Sequence, residues 1–255
     1  MTTLRLTVCQ LHDDPSQFEN DWHGLVSHVR SEKSDLVLLP EMPFGPWFVS
    51  TRTYSEAVWD EMVDLHEAWL KRLPELGAAA VMSSRPINEG ANRYNEGFIW
   101  DAANGYRAAH RKAYLPDEEG FWEASWYQRG PRTYTAVESH GAKIGFLICT
   151  EMWFNEHARA YGRQGAHLIV TSRITEPATI GKWMTGGRAV AVVSGAYHAS
   201  STRYGTRLAG GVGWVIAPDG DVVALTSDAT LYRTVTIDLD LADRSKQTYP
   251  RYVDE

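Results

Sequence analysis

Cysteine is scarce in this chain: Cys9 and Cys149 are the only two among 255 residues. That excludes a disulfide-built scaffold and suits a reducing cytoplasm, the compartment expected here. Long apolar runs are also missing. The opening segment, MTTLRLTVCQLHDD, has no basic leader and an apolar run of strand length only, so neither a signal peptide nor a membrane span is expected. Basic blocks are absent and the formal net charge is −7, which argues against nucleic acid or an anionic membrane as partner. No repeat, low-complexity tract or break in composition divides the chain. A single domain over 1–240 is expected, followed by a tail, 241–255, without periodicity. At 44 % hydrophobic residues the length suffices for a full α/β core with no disulfide or metal. Aromatics are plentiful, with ten Trp, twelve Tyr and seven Phe. They point to a ring-lined pocket or interface, although large cores also absorb aromatics.

Apolar strands alternate with amphipathic helices along the chain. The pattern predicts strands at Leu4 to Leu11, Asp35 to Leu39 and Ala78 to Ser83, with helices at Pro15 to Arg30 and Ser55 to Leu73 between them. Asn92 to Asn95 reads as a polar turn. Gly97 to Asp101 and Tyr106 to Tyr114 read as a hairpin across Asn104-Gly105. Further strands are predicted at Ile144 to Ile148, His167 to Ser172, Ala196 to Tyr204, Gly213 to Ala217, Val222 to Leu225 and Leu231 to Leu239. Helices fall at Asn155 to Gln164 and Gly181 to Ser194.

The stretch KIGFLICTEMWF, Lys143 to Phe154, organises the rest. Its buried apolar strand stops at Cys149, so the thiol leaves the sheet at a strand-to-helix turn, where backbone N–H groups converge. Taken alone, such a cysteine is more often an inert buried hydrophobe. Two other strand ends change that. DLVLL runs into Pro40 and Glu41, and the second hairpin strand runs into His110, Arg111 and Lys112. Attack by a thiol on a carbonyl or nitrile carbon needs a base for the thiol proton and a cation or N–H donors for the developing negative charge. Glu41, Lys112 and Cys149 supply those types. His110, His157 and His167 lie near no motif of that kind and read as structural or surface residues. Glu118 and Glu119 beside Asp117 read as a surface turn, whereas Glu123 stands among Phe121, Trp122, Trp126 and Tyr127, an environment that would desolvate a carboxylate. The loop MPFGPWFVSTRTY, with Phe44, Trp47 and Phe48 between prolines and a glycine, is expected to cover a pocket.

LVLLPEMPF, HRKAYLP and GFLICTEMWFNE, in this order and at these separations, resemble the motifs of the nitrilase superfamily of carbon–nitrogen hydrolases. The weaker stretches YNEGFIWDAANG and VIAPDGDVVALT extend the likeness from Leu4 to Leu239. The resemblance implies a single-domain, four-layer αββα sandwich that forms homodimers or higher oligomers, with the tail at the dimer interface. It implies a Glu-Lys-Cys triad without metal or cofactor: Cys149 as nucleophile, Glu41 as general base and Lys112 as stabiliser of the tetrahedral intermediate. The Thr150 backbone N–H would complete the oxyanion site. Glu123 matches the family's second glutamate, with Glu119 as the fallback. Thr150 departs from the Trp that true nitrilases carry there, while Glu151, Trp153, Phe154 and Glu156 are similar to carbamoyl-polyamine hydrolases. Met152 and Trp153 stand where hydrolases of N-carbamoyl D-amino acids carry arginines, and Ser194-Gly195 replaces a Glu-Asn found in many members. Hydrolysis of a small amide or N-carbamoyl compound is therefore expected, with a nitrile substrate, or a non-hydrolytic binding or acyl-transfer role, as alternatives. The expected pocket residues are Phe44, Trp47, Trp122, Trp126, Trp153 and Glu151, with Phe154 adjacent and no arginine clamp.

Overall fold

A computed structural model describes residues 2–253 of the chain. It begins with strand β1 (Thr3–His12), helix α1 (Pro15–Glu32), β2 (Leu36–Leu38), α2 (Glu56–Leu70), β3 (Ala80–Glu89), β4 (Asn92–Asp101) and β5 (Gly105–Arg111). After a one-turn helix, α3 (Glu123–Trp126), come β6 (Val137–Ser139), β7 (Ala142–Phe146), α4 (Asn155–Arg163), β8 (Leu168–Arg173), α5 (Ile180–Ser194) and β9 (Tyr197–Tyr204). The chain closes with β10 (Trp214–Ile216), β11 (Val222–Leu225), β12 (Tyr232–Asp238) and α6 (Leu239–Ser245).

The strands form two sheets. One runs β5-β4-β3-β2-β1 with β12 antiparallel along β1; the other runs β6-β7-β8-β9 with β10 and β11 beyond. β1 joins them, since Leu6 to Val8 pair with β2 while Gln10 to His12 pair with β9. Strand alternation then sorts side chains into layers. Leu6, Val8, Leu38, Met82 and Ile99 of the first sheet meet Ile144, Phe146, Val170, Ala199 and Val215 of the second in one central core. On the outer side of the first sheet, Cys9, Val37, Val81 and Phe98 pack on Trp22 and Leu25 of α1. Leu147, Ile169, Trp214 and Ile216 pack on Ala158, Tyr161, Val190 and Ala191 of α4 and α5. The result is the helix–sheet–sheet–helix sandwich expected, and it explains why β2, β7 and β8 read as continuous apolar runs: each is covered on both faces. The small residues of α5 serve close packing, because a Cβ on Gly187 would lie 3.0 Å from both His198 and Trp214. Among the described residues no helix is long and apolar enough to cross a membrane.

Three readings need correction. Asn92 to Asn95 is the first part of β4, paired with Pro86 to Glu89, and the turn lies one step earlier, at Gly90 and Ala91. α2 stops at Leu70 and a separate 3-10 turn, Leu73–Leu76, follows it, with Pro74 at its start. The last strand, expected to reach Leu239, ends at Asp238, where α6 (Leu239–Ser245) begins with the Asp238 side chain accepting from Asp240 N.

Candidate active site

β2 and β3 are parallel, and β4 and β5 return antiparallel in turn, so β5 points the same way as β2. Glu41 and Lys112 therefore leave the first sheet at one edge. β7 and β8 are parallel to each other and deliver Cys149 and Ile174 at their own carboxyl ends. The sandwich brings these ends together over the central core.

Lys112 is the hub. Its Nζ lies 2.7 Å from Glu41 Oε1 and 2.6 Å from Glu123 Oε2, and all three side chains are fully buried. Asn95 Nδ2 donates to the same Glu41 oxygen at 2.8 Å, and the Tyr127 hydroxyl donates to Glu123. One oxygen of each carboxylate, Glu41 Oε2 and Glu123 Oε1, is buried without a partner. Burial alone would favour a neutral Lys112 amine, but Glu123 and Glu41 outweigh it and hold the ammonium charged. Burial raises the Glu123 carboxyl, Lys112 pulls it back and Glu41 pushes it up again, leaving it near 7.

Cys149 adopts φ +48° and Met42, beside Glu41, φ +40°. Left-handed backbone costs such residues on the order of 1–2 kcal/mol, and both sit at strand exits that carry site residues. The Glu41 loop is held in place by the buried Arg203, whose guanidinium reaches the Met42 and Gly45 carbonyls and the Asp13 carboxylate. Cys149 Sγ faces the Ile174 carbonyl at 3.6 Å. Burial and Glu41 push the thiol well above its usual range, with Lys112 opposing. The resting sulfur is thus protonated and needs a base.

A cavity of about 540 Å³ opens onto Cys149, Thr150 and Glu123. Rings wall it: Phe154 stacks on Tyr114 at 3.6 Å between centroids, and Trp153 packs against Trp183 at 5.0 Å. Asp117, Glu118 and Glu176 line it together with Arg129 and Lys182.

Of the residues expected in the pocket, Trp153 and Phe154 line the cavity, while Phe44, Trp47, Trp122 and Trp126 are not among its lining. Phe44 stacks on Trp69 in the α1–α2 core. The Trp47 and Trp126 indoles are buried and direct their N–H groups to the Gly120 and Thr51 carbonyls, the usual requirement of a buried indole. Trp122 lies under the Arg52 guanidinium. Glu151 is also elsewhere. Its carboxylate accepts from His110 Nε2, Ala113 N, Ile148 N and Tyr134 Oη at 2.7–3.0 Å, leaving no capacity for a ligand. Burial would raise its pKa, but His110 and these donors hold it below the ordinary range. It ties the strand exit after Lys112 to the strand exit before Cys149. Glu119 is exposed and faces Arg207 at 3.9 Å, so Glu123 is the glutamate at Lys112. The sequence pattern did not reveal Asn95, Arg203 or the cavity face of α5 with Lys182 and Trp183, and it marked Tyr127 only as a ring near Glu123. The one available signal for Asn95 was its place in YNEGF, within the family-like stretch.

The carbon–nitrogen hydrolase family model matches residues 5–247. An omega-amidase of Danio rerio is 27 % identical over 266 residues, covering 97 % of this chain and 93 % of that protein. An N-carbamoylputrescine amidase of Solanum tuberosum is 35 % identical over 97 residues, covering 37 % of this chain and 31 % of that protein. Among solved structures, a carbon–nitrogen hydrolase from Helicobacter pylori superposes with a TM-score of 0.84 at 17 % identity, covering 98 % and 94 % of the two chains. At that identity the likeness speaks for the fold.

Proposed function

The chain belongs to the carbon–nitrogen hydrolase family, and from that premise we propose that it hydrolyses the C–N bond of a small amide or N-carbamoyl compound through a thioester on Cys149. The observation that carries this reading is the Lys112 ammonium clasped between Glu41 and Glu123, with Glu123 and Cys149 at one cavity. The free Oε2 of Glu41 takes the thiol proton as sulfur attacks the carbonyl carbon. Lys112 Nζ and the Thr150 N–H then receive the oxyanion. When the tetrahedral intermediate collapses, the C–N bond breaks and ammonia leaves with the proton held by Glu41. A water molecule, deprotonated by the same carboxylate, attacks the thioester and frees the thiol. Glu123, Asn95 and Tyr127 fix Lys112 and Glu41 in place.

The ring-walled cavity with Asp117, Glu118, Glu123 and Glu176 at its wall favours a substrate with an apolar or aromatic body that is uncharged or carries an amine. The name of the N-carbamoylputrescine amidase relative is in keeping with that class. Arg129 and Lys182 also line the cavity, so the acidic side is not unopposed. The functional unit proposed is a homodimer, testable by sedimentation. An ammonia-release screen over linear amides, carbamoyl compounds and nitriles tests the activity. Release from neutral or cationic amides and carbamoyl compounds ahead of nitriles and anionic carbamoyl amino acids is expected; the reverse order would overturn the substrate reading.

A further inference from the structure

Arg173, the last residue of β8, has no part in the chemistry above, and its setting is unusual. The side chain is fully buried, yet every polar partner is neutral. Nε donates to Ser200 Oγ at 2.9 Å, one Nη to Thr175 Oγ1 at 2.5 Å and the other to the Val212 carbonyl. The guanidinium lies over the Trp214 ring, 4.1 Å from its centroid. No carboxylate pairs with it among the described residues, whereas the equally buried Arg203 has Asp13. A buried cation without a counter-ion is among the least favourable groups a core can hold. Burial brings this guanidinium down to about 9, which still leaves it charged at neutral pH.

Its position is next to the nucleophile. The following residue, Ile174, offers the carbonyl that faces Cys149 Sγ, and Thr175, the acceptor for Arg173, lines the cavity. The positive charge therefore stands one hydrogen bond behind the cavity wall on the β8 side. Glu41, Lys112 and Glu123 reach Cys149 from the strand exits of the first sheet and from α3. The titratable groups acting on Arg173 are few. His198 of β9 is held neutral, near 3, by burial and by Arg173 itself, and Cys149 is the one acidic group that acts on it through charge.

We propose that Arg173 is a positioning residue of electrostatic kind, whose uncompensated positive charge favours negative charge on Cys149 Sγ as the thiol proton passes to Glu41. The S–H bond breaks, an O–H bond forms on the carboxyl group, and the electron pair stays on sulfur. This role rests on Cys149 being the nucleophile. Its test needs no substrate.

The experiment is the pH dependence of Cys149 alkylation by iodoacetamide, followed by peptide mass, in the wild type, Arg173→Met, Arg173→Gln and Ser200→Ala, each checked by thermal unfolding. Loss of the charge should raise the midpoint of alkylation by about one pH unit and slow labelling at pH 7 about tenfold. Ser200→Ala, which removes one guanidinium partner and keeps the charge, should leave the midpoint in place. Arg173→Gln retains a donor for Ser200 or Thr175 and carries the test where Arg173→Met does not fold. A folded Arg173 variant with the wild-type midpoint overturns the proposal. So does an equal shift in Ser200→Ala, or a failure of both Arg173 variants to fold, because the charge would then serve the fold. A wild type in which Cys149 resists alkylation at every pH overturns the nucleophile reading as well, which separates the two failures.

Discussion

The two cysteines are both buried, and their surroundings differ. Cys9 lies inside β1, its Sγ–H pointing to the Leu38 carbonyl at 3.4 Å, in the layer between sheet and α1. Cys149 sits just past β7 with a left-handed backbone, beside a lysine–carboxylate cluster and at the cavity. Burial pushes both thiols upward. The direction of the thiol shift therefore does not distinguish Cys149 from Cys9. What separates the two is an unpartnered carboxylate oxygen, a fixed ammonium and a cavity at Cys149. The buried glutamates repeat the lesson. Glu151 has four donors and acts as a tie between strand exits, while Glu41 and Glu123 each keep one oxygen unpartnered.

The largest effect is expected at the proposed nucleophile. Cys149→Ala should lower the rate of ammonia release by on the order of 10⁴-fold or more with the fold intact, checked by ammonia assay and circular dichroism. Glu41→Gln keeps the shape but removes the proposed proton acceptor, and Lys112→Ala removes the proposed oxyanion partner. Each should lower kcat on the order of 10²-fold or more, as steady-state kinetics would show. Glu151→Ala strands the His110 ring and two amides in a dry site and should destabilise by about 3 kcal/mol, measured by urea unfolding. Cys149→Ala should show no loss of that size.

Glu123 sharpens the comparison through pH. The folded protein holds its proton up to about 7, while the ordinary value is 4.5. Its contribution to stability is therefore full below about 4.5 and is lost as the pH rises through about 7. Glu123→Gln, neutral throughout, should flatten that decline when thermal unfolding is followed from pH 5 to 8. The smallest effect is expected at the other thiol: Cys9→Ala should leave kcat within a few-fold of wild type and cost only about 1 kcal/mol of stability.

Much of this arrangement was legible in the chain. Glu41, Lys112 and Cys149 each follow a strand, and strands that run the same way in a sandwich end at a common edge, so pattern and residue type located the three together. The β4 start was not legible because Asn92 to Asn95 lacks apolar alternation. Asn95 is buried to hold Glu41 and not to fill a core, and periodicity registers only hydrophobic burial. α6 spans seven residues, two turns, too short for a 3.6-residue period to stand out. The rings near the motifs were expected at the pocket, but nearness in sequence gives no side-chain direction: Phe44 and Trp126 turn into packing layers while Trp153 turns to the cavity. Arg173 was hidden for a related reason, since a cation closing an apolar strand is normally solvated, and only the sandwich shows that this one is covered.

The most direct test sets the two thiols against each other in one tube. The folded protein is treated with substoichiometric iodoacetamide at pH 7, and labelling of the Cys149 and Cys9 peptides is quantified over time, in wild type and in Glu41→Gln. Labelling of Cys149 is expected to run at least tenfold faster than that of Cys9, with Glu41→Gln slowing Cys149 and leaving Cys9 unchanged. Equal labelling of both thiols, or a Cys149 rate indifferent to Glu41, would contradict it.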